Sequence, residues 1–471
     1  MPDDEHTIDE RLVQRINAYL EKDHDPSSRV TGYLSPEELR SRLDLTLPEE
    51  GCGLDDLYRV IDDYLEHAVR TGHTQYFNQL WSGFTLPGFL GEVITGLTNT
   101  SMYTYEVAPV ATLMEQELIQ KMGRLAGFED PEGLFLSGGS NGNLQAMMLA
   151  RNSALPDTKN SGLPPDVKLA AFVSEEAHYS FEKAANILGI GMDHVIKVEA
   201  DGAGRMLPAD LERKIADSRA SGMKPFFVGA TAGTTVKGAY DPCEEIGSLA
   251  RQHGLWFHVD GSLGGTALLS PRHRSLLKGL EQADSFVWNA HKLMGLPLIC
   301  SVFLVREKGG LFASNSVAGA DYIFHEDGHG ASDLGPHSLQ CGRRADALKL
   351  WLSWKYYGDQ GYAERTDRFF ELAEYAEQIV RKAPTLELMA PRSSVTVCFR
   401  FRPPDTEDPN AFNLRLREEL ARSGRSLVNY AYLGEDMAIR LVIANHELTR
   451  ADVELFFQNV LTTAESLLSP P

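Results

Sequence analysis

The stretch GLWFHVDGS, residues 254–262, decides the fold class that the sequence predicts. An apolar run of strand length ends there in a histidine and an aspartate, and a glycine turn follows. Runs of the same kind alternate with helix-like segments from about residue 130 to 305: Gly133–Leu136, Leu169–Ser174, Pro225–Ala230, Trp256–Val259, Ser285–Trp288 and Cys300–Val305. Near-continuous apolar strands that alternate with helices are typical of a mostly parallel α/β sheet covered on both faces.

Helical patterns precede this region, and a mixed pattern follows it. Apolar residues recur with helical spacing at residues 8–22 and 55–70. Residues 310–345 show little periodicity and are predicted to form a long loop. The sequence therefore predicts an N-terminal helical arm, a large α/β domain and a small C-terminal α+β domain, at residues 1–70, 71–345 and 346–471.

The composition argues against several classes of protein. The 471 residues include 45 Lys and Arg against 66 Asp and Glu, a net charge of −21, which disfavours binding along a nucleic-acid backbone. With 43% hydrophobic residues the chain can build a core, but no apolar run approaches the ~18 residues that span a bilayer. The acidic N-terminus shows no export signal, and five cysteines without a CxxC pair indicate reduced thiols. These features predict a cytoplasmic enzyme or binding protein.

A glycine-rich segment, SGGSNGN at residues 137–143, follows one predicted strand and opens a helix. Glycines allow backbone N–H groups to approach an oxyanion, and the start of a helix favours negative charge. The segment is therefore a candidate phosphate site. The alternative is a plain glycine-rich turn with a Ser or Asn cap.

His258 and Asp260 end the strand quoted above. Ligands of parallel sheets sit at the carboxyl ends of the strands, and a buried aspartate there needs a partner such as the protonated ring nitrogen of a cofactor. One alternative is a structural aspartate that caps the next turn. Another is a metal site built from His258, Asp260 and His291, but the sequence offers no second ligand cluster and no metal is predicted.

Lys292 closes the segment WNAHK, residues 288–292, at the end of another predicted strand. A desolvated lysine can form a Schiff base with an aldehyde, although a lysine at a strand end is more often solvated. The neighbouring motifs change the interpretation of Lys292, because a candidate anion site, a buried aspartate and this lysine then lie in one α/β region. Together they match the phosphate, the pyridinium nitrogen and the aldehyde of pyridoxal 5′-phosphate (PLP).

Seven segments in order carry a family resemblance: YFNQL at 76–80, YTYEVAP at 103–109, SEEAHYS at 174–180, ATAGTT at 230–235, FHVD at 257–260, NAHKLMG at 289–295 and QCGR at 340–343. With these segments the chain resembles the group II PLP-dependent decarboxylases, the family of the glutamate, cysteine sulfinate, aspartate and aromatic amino acid decarboxylases. It is most similar to the branch with acidic substrates. The resemblance covers most of the chain and implies the fold type I, aspartate aminotransferase-like architecture and a homodimer.

The resemblance also implies roles for individual residues. Lys292 would form the Schiff base with PLP, Asp260 would hold the pyridinium nitrogen protonated, and His178 would stack on the ring. Ser262 would face the ring where relatives carry an alanine. The other cofactor contacts, mainly to the phosphate, would come from Gly139, Ser140, Thr234 and Asn289, with His291 beside the lysine.

Four residues match family positions that contact the substrate: Asn78, Gln79, Trp81 and Arg440. Arg440 is expected to pair with an acidic group, with an exposed strand arginine as the alternative. Glutamate-specific relatives carry a small residue at the position of Trp81, whereas cysteine sulfinate and aspartate decarboxylases tend to carry an aromatic one. A bulky ring shortens the pocket, which favours a short acidic substrate.

The loop at residues 321–337 is shorter than in glutamate decarboxylases. A tyrosine of that loop donates the proton to the product in those enzymes, and Ser332 aligns with it here. His329 and His337 are therefore candidate proton donors, since histidine titrates near neutral pH. The alternative is that both are solvated loop histidines.

The sequence thus predicts a PLP-dependent carboxy-lyase that converts a short acidic L-amino acid, aspartate or cysteine sulfinate, to CO₂ and the corresponding amine. Glutamate decarboxylation is the first alternative. Because Gly261 and Ser262 depart from the family pattern, a second alternative is decarboxylation-dependent transamination or oxidative deamination. A third is a non-catalytic binding protein, against which the retained Lys292, Asp260 and His178 argue.

Overall fold

The structure is a computed structural model that describes residues 8–320, 322–324 and 332–469. It divides into two compact units. The small unit combines Met1–Gly83, Leu372–Met389 and Val397–Pro471, and the large unit combines Phe84–Glu371 and Ala390–Thr396. The two ends of the chain thus belong to one unit, and the three-domain division stays a prediction.

Fourteen α-helices lie within the described ranges. They are α1 Glu10–Asp23, α2 Pro36–Arg42, α3 Leu54–His67, α4 Leu86–Thr98, α5 Pro109–Leu125, α6 Gly139–Ala154, α7 Thr158–Ser161, α8 Ser180–Ile187, α9 Pro208–Ala220, α10 Cys243–His253, α11 Gly310–Asn315, α12 Ala347–Lys382, α13 Pro409–Ser423 and α14 Arg450–Leu468. None of these helices is both long and apolar enough to cross a membrane.

Twelve β-strands are found in the same ranges. They are β1 Tyr76–Phe77, β2 Glu132–Leu136, β3 Leu169–Ser174, β4 Val195–Val198, β5 Lys224–Thr231, β6 Trp256–Asp260, β7 Ser285–Asn289, β8 Ser301–Val305, β9 Leu386–Leu388, β10 Thr396–Phe401, β11 Leu427–Leu433 and β12 Asp436–Val442. A five-stranded sheet in the order β1-β11-β12-β10-β9 supports the small unit.

The large unit contains a seven-stranded sheet in the order β2-β8-β7-β6-β5-β3-β4. The strands from β4 to β7 pair in parallel, and β8 runs antiparallel to both of its neighbours. β2 therefore points the same way as β7. The predicted mostly parallel sheet is confirmed, and its six predicted strands are found to within one residue at either end.

One core layer covers a face of this sheet and holds α6 and α8 in place. It includes Met147 of α6 and Phe181 of α8, which are fully buried with Phe227, Val287 and Phe303 of the strands. Removing this much apolar surface from water is the main stabilising contribution to the unit. The start of α6 is therefore held rigidly at one edge of the sheet.

Two local features differ from the predictions. The sequence analysis did not find β4, because its short VIKV run lies at the sheet edge with its two central residues only half-buried. The predicted loop at 310–345 is wrong in its first part, since Gly310–Asn315 form α11 and Leu311 is buried in the core.

Helix α4 buries small residues and exposes large apolar ones. Its buried positions include the small residues Gly88, Gly91 and Thr95. A Cβ on Gly91 would lie 2.6 Å from the Lys349 Cα, so the glycine permits close packing on α12. The large apolar side chains of α4 instead form an exposed stripe: Leu86, Leu90, Val93, Ile94 and Leu97.

Candidate active site

The carboxyl ends of the parallel strands bring several predicted site residues to one edge of the large sheet. β6 ends at Asp260 and β7 at Asn289, while β2 leads into α6, which begins at Gly139. A Cβ on Gly139 would overlap Ser262 Oγ and would lie 2.9 Å from Asn289 Nδ2. Only glycine therefore fits where the start of α6 meets these two side chains.

The first turn of α6 offers backbone donors at this edge. Gly138 precedes the helix with φ +133°, a conformation that favours glycine, and no side chain of the described residues caps this end. Ser140 in the same turn is exposed. Uncapped N–H groups and the helix dipole make this turn suitable for an anion.

Two further residues near this edge, Asn289 and Thr234, are buried. Asn289 Oδ1 accepts a hydrogen bond of 2.8 Å from Ser301 Oγ, which leaves its amide group turned toward Gly139. Thr234 lies in the turn after β5, where its Oγ1 accepts from the Ala239 N–H at 3.0 Å. The hydroxyl hydrogen of Thr234 is thus not used by that bond.

Asp260 is buried, and two donors hold its carboxylate. Oδ1 accepts from the Ser262 N–H at 3.0 Å, and Oδ2 accepts from Asn143 Nδ2 at 2.8 Å. Burial opposes the charged form, but the hydrogen bonds from Asn143 and Ser262 and the charge of Lys292 outweigh it and lower the pKa of Asp260. Asp260 is therefore an ionised carboxylate at neutral pH.

Asn143 links Asp260 to two further groups. Its Nδ2 also lies 2.8 Å from Ser180 Oγ, and its Oδ1 lies 2.9 Å from His258 Nε2. The other ring nitrogen of His258 lies 2.9 Å from Ser285 Oγ. His258 and Asp260 thus point to the same side of a regular strand. The sequence analysis missed Asn143 as a site residue, although it is part of the glycine-rich segment.

His178 follows the carboxyl end of β3 and is half-buried. Its Nδ1 lies 2.9 Å from Ser180 Oγ and 3.3 Å from the Ser180 backbone nitrogen. Burial lowers the pKa of His178, Asp260 raises it and Lys292 lowers it further. The imidazole is therefore neutral at neutral pH and lies within electrostatic range of both charges.

Lys292 and His291 lie in the turn after β7, beside Asn289. The Lys292 backbone N–H donates to the Asn289 carbonyl at 3.1 Å, and the lysine side chain is half-buried. His291 is buried with its Nδ1 2.9 Å from the Cys300 carbonyl oxygen. Burial and the charge of Lys292 lower the pKa of His291 to about 4, so this ring is neutral.

The structure does not bring His337 to this edge. Its Nδ1 lies 3.9 Å from the Glu132 carboxylate at the amino end of β2. About 13 Å of strand separates Glu132 from the carboxyl end of β2 at Leu136. Within its own chain His337 therefore does not line the candidate site, and its role as a proton donor stays a prediction. His329, the other candidate, lies outside the described residues.

The four predicted substrate residues all lie in the small unit. Arg440 of β12 is buried, which lowers its pKa, and its Nη2 donates to the Asn78 carbonyl at 3.1 Å. The rings of Trp81 and Tyr76 are 6.1 Å apart at 43°. Asn78 and Gln79 are half-buried, and the side-chain oxygen of Asn78 has no partner among the described residues.

Comparisons with known proteins find similar chains of one family. The model of the pyridoxal-dependent decarboxylase conserved domain matches residues 36–402. Human cysteine sulfinic acid decarboxylase is 40% identical over 466 residues, which covers 96% of this chain and 94% of the relative. The acidic amino acid decarboxylase GADL1 of Mus musculus is 38% identical, with 93% and 82% covered. The crystal structure of mouse CSAD has a TM-score of 0.92 at 39% identity, with 97% and 98% covered.

Proposed function

Since the chain belongs to the family of pyridoxal-dependent decarboxylases, we propose that it removes the α-carboxyl group of a short acidic L-amino acid, aspartate or cysteine sulfinate. The enzyme is a PLP-dependent carboxy-lyase, and its products are CO₂ and the corresponding amine. The observation that carries the proposal is the buried Asp260 at the carboxyl edge of the sheet, whose carboxylate accepts hydrogen bonds from Asn143 Nδ2 at 2.8 Å and the Ser262 N–H at 3.0 Å.

The residues of this edge fit PLP. The uncapped start of α6 and the glycine at position 139 provide a cradle that a larger side chain would fill, which suits a phosphate. Gly139, Ser140, Thr234 and Asn289 are proposed to hold that group. A carboxylate that only accepts hydrogen bonds suits a protonated ring nitrogen, and this role falls to Asp260.

PLP supplies an aldehyde for attachment and a ring that withdraws the electrons of the broken bond. Lys292 is proposed to bind the aldehyde, and Asp260 to keep the ring nitrogen positive. His178 would pack on the ring face and His291 would lie beside the lysine, while Ser262 places its hydroxyl near the start of α6. These residues orient the substrate so that the bond to the carboxyl group is the one that breaks.

The relatives support the choice of an acidic substrate, since two of them are named for cysteine sulfinic acid and for acidic amino acids. Arg440 is proposed to bind the side-chain acid with its guanidinium group. Asn78 and Gln79 are proposed to line the distal part of the substrate pocket, and the Asn78 side-chain oxygen, which has no partner in the described part of the chain, is available there to accept a hydrogen bond. Trp81 limits the length of the substrate.

A substrate panel tests the proposal. Purified protein loaded with PLP is given aspartate, cysteine sulfinate, cysteate, glutamate and an aromatic amino acid, and CO₂, amine and aldehyde are quantified together. We expect equal amounts of CO₂ and amine from a short acid. Preference for glutamate would contradict the proposed role of Trp81, and aldehyde in place of amine would establish the altered chemistry instead.

The Trp81→Ala variant is expected to shift the preference toward glutamate. The ratio of kcat/KM for glutamate to that for the preferred short acid should rise by about 10-fold or more, because one methylene is worth 1–3 kcal/mol in a fitted pocket. Trp351→Ala is the control, since Trp351 stacks with Lys355 on α12 outside the site. An unchanged ratio in Trp81→Ala would refute the pocket-length argument.

We also propose that the enzyme is a homodimer, and the exposed apolar stripe of α4 supports this. Such a stripe on a helix is a typical interface feature. Leu90→Glu with Leu97→Glu should yield a monomer in light scattering after size exclusion, because two charges would be buried at the interface. Ile187→Glu, at an exposed apolar residue of α8, is the control and should leave a dimer. A wild-type monomer at micromolar concentration would refute the proposal.

A further inference from the structure

We propose that Asn143 is a positioning residue that sets two cofactor-facing groups at once, the carboxylate of Asp260 and the imidazole of His178. This inference rests on the proposed function, because both groups belong to the proposed PLP site. It concerns a chain of hydrogen bonds that runs through the interior of the large unit. Its members come from α6, α8, β6 and β7 and from the segment between β3 and α8, which contains His178.

The orientation of the Asn143 carboxamide follows from its neighbours. Its nitrogen lies 2.8 Å from Asp260 Oδ2 and 2.8 Å from Ser180 Oγ, and its oxygen lies 2.9 Å from His258 Nε2. An ionised carboxylate can only accept hydrogen bonds, so the NH₂ group must face Asp260. The reverse orientation would place two oxygens in contact in a buried site. Each of the two amide hydrogens therefore has one acceptor.

The same argument determines which ring nitrogen of His258 carries the proton. Because the Asn143 oxygen can only accept, His258 Nε2 carries a hydrogen. His258 Nδ1 lies 2.9 Å from Ser285 Oγ, and that oxygen accepts from the Trp256 indole N–H at 2.9 Å. The Ser285 hydrogen is then available for Nδ1. His258 is thus a neutral imidazole, in agreement with the lowering of its pKa by burial.

The opposite branch determines the tautomer of His178. Ser180 Oγ accepts from the Asn143 amide, so its own hydrogen is directed to His178 Nδ1 at 2.9 Å. The backbone N–H of Ser180 also points to Nδ1, at 3.3 Å. Nδ1 is an acceptor, and the proton of the neutral ring is on Nε2. His178 therefore presents an N–H donor on the side away from Ser180.

Leucine has the same number of side-chain heavy atoms and the same branch at Cγ as asparagine but no donor or acceptor, so Asn143→Leu removes the link without opening a large cavity. Asp260 then keeps only the Ser262 N–H, in a site where burial already opposes its charge. The pKa of Asp260 should rise, and the carboxylate should hold a protonated ring nitrogen less well. The titratable groups that face Asp260 are Lys292, whose positive charge the variant retains, and His258 and His178, which are neutral.

The test measures PLP binding by the full-length protein without substrate, by dialysis and absorbance from about pH 5 to 8. Asn143→Leu should weaken binding about 10- to 100-fold at neutral pH, the worth of a hydrogen bond to a charged group. The loss relative to wild type should grow as the pH falls, because Asp260 then becomes protonated. Equal binding by variant and wild type across this range would overturn the inference.

Asn413→Leu is the matched control. Asn413 is also fully buried, and its carboxamide bonds the Phe401 backbone and the Pro409 carbonyl in the small unit. Its loss should lower the melting temperature but leave PLP binding and its pH profile unchanged. An equal effect of both variants on PLP binding would assign Asn143 a purely structural role.

A second pair of variants covers the case in which Asn143→Leu fails to fold. His258→Gln retains a donor for the Asn143 oxygen, whereas His258→Leu does not, so only the latter should weaken PLP binding and steepen its pH profile. Identical binding by the two would overturn the inference. The readout requires only PLP, so a wild-type protein that binds PLP but does not act on short acids would refute the proposed function alone.

Discussion

Lys292→Ala is expected to lower kcat by about 10⁴-fold or more, since the variant lacks the amine that is proposed to bind PLP covalently after β7. Lys292 is half-buried in the turn that begins at Asn289, and its charge acts on both Asp260 and His178. Decarboxylation is measured as CO₂ release with saturating PLP. The apo variant should keep the melting temperature of the apo wild type, because the change lies in a half-buried turn.

The lysine to which PLP is attached can be identified directly. Borohydride reduction of the wild-type holoenzyme should fix PLP on the peptide that contains Lys292, as detected by mass spectrometry. Lys214→Ala is the matched control, since Lys214 pairs with Asp210 at 3.1 Å on α9. It should leave activity and labelling unchanged. Labelling of a different lysine in the wild type would show that Lys292 does not bind the cofactor.

Asp260→Asn is expected to lower kcat by about 10²- to 10⁴-fold with a smaller change in KM. The amide has nearly the shape of the carboxylate but no charge, so it cannot keep a ring nitrogen protonated. The new amide also faces the NH₂ group of Asn143. This contact disturbs the hydrogen bond between Asn143 Nδ2 and Oδ2 of residue 260, which measures 2.8 Å in the wild type. The measurement is a steady-state comparison of kcat and KM on the preferred acid.

Asp284→Asn provides the control for loss of a half-buried charge on the same sheet. Asp284 precedes β7 at the amino edge of the same sheet, where it accepts from the Phe257 N–H and pairs with Arg306. This variant should lose stability but keep kcat. An Asp260→Asn enzyme with wild-type kcat would show that the carboxylate does not act on the cofactor.

The sequence predicted the parts of the site that depend on local patterns. Asp260 and Lys292 each follow an apolar run of strand length, and Gly139 opens a helix after a third such run. Because parallel strands bring their carboxyl ends to one edge, the pattern of strands and helices was enough to place these three positions together. The site roles themselves stay predictions until the variants are measured.

Asn143 could not be assigned in the same way. It is 117 positions from Asp260 and 115 from His258, so only the packing of α6 on the sheet brings them within 3 Å. The sequence equally could not place His337, which follows a loop and lies at the amino end of β2. A loop has no periodicity from which the direction of a side chain can be read.

By itself the sequence determined the fold class, six of the seven strands of the large sheet and the residue types that fit PLP, because periodicity and turn chemistry are properties of neighbouring residues. The tertiary structure alone decided which hydrogen bonds join Asp260, Asn143 and His178 and where their protons lie. It also decided that α4 turns its small residues inward and its large apolar side chains outward. Both depend on contacts between distant segments, and no pattern of neighbouring residues records such contacts.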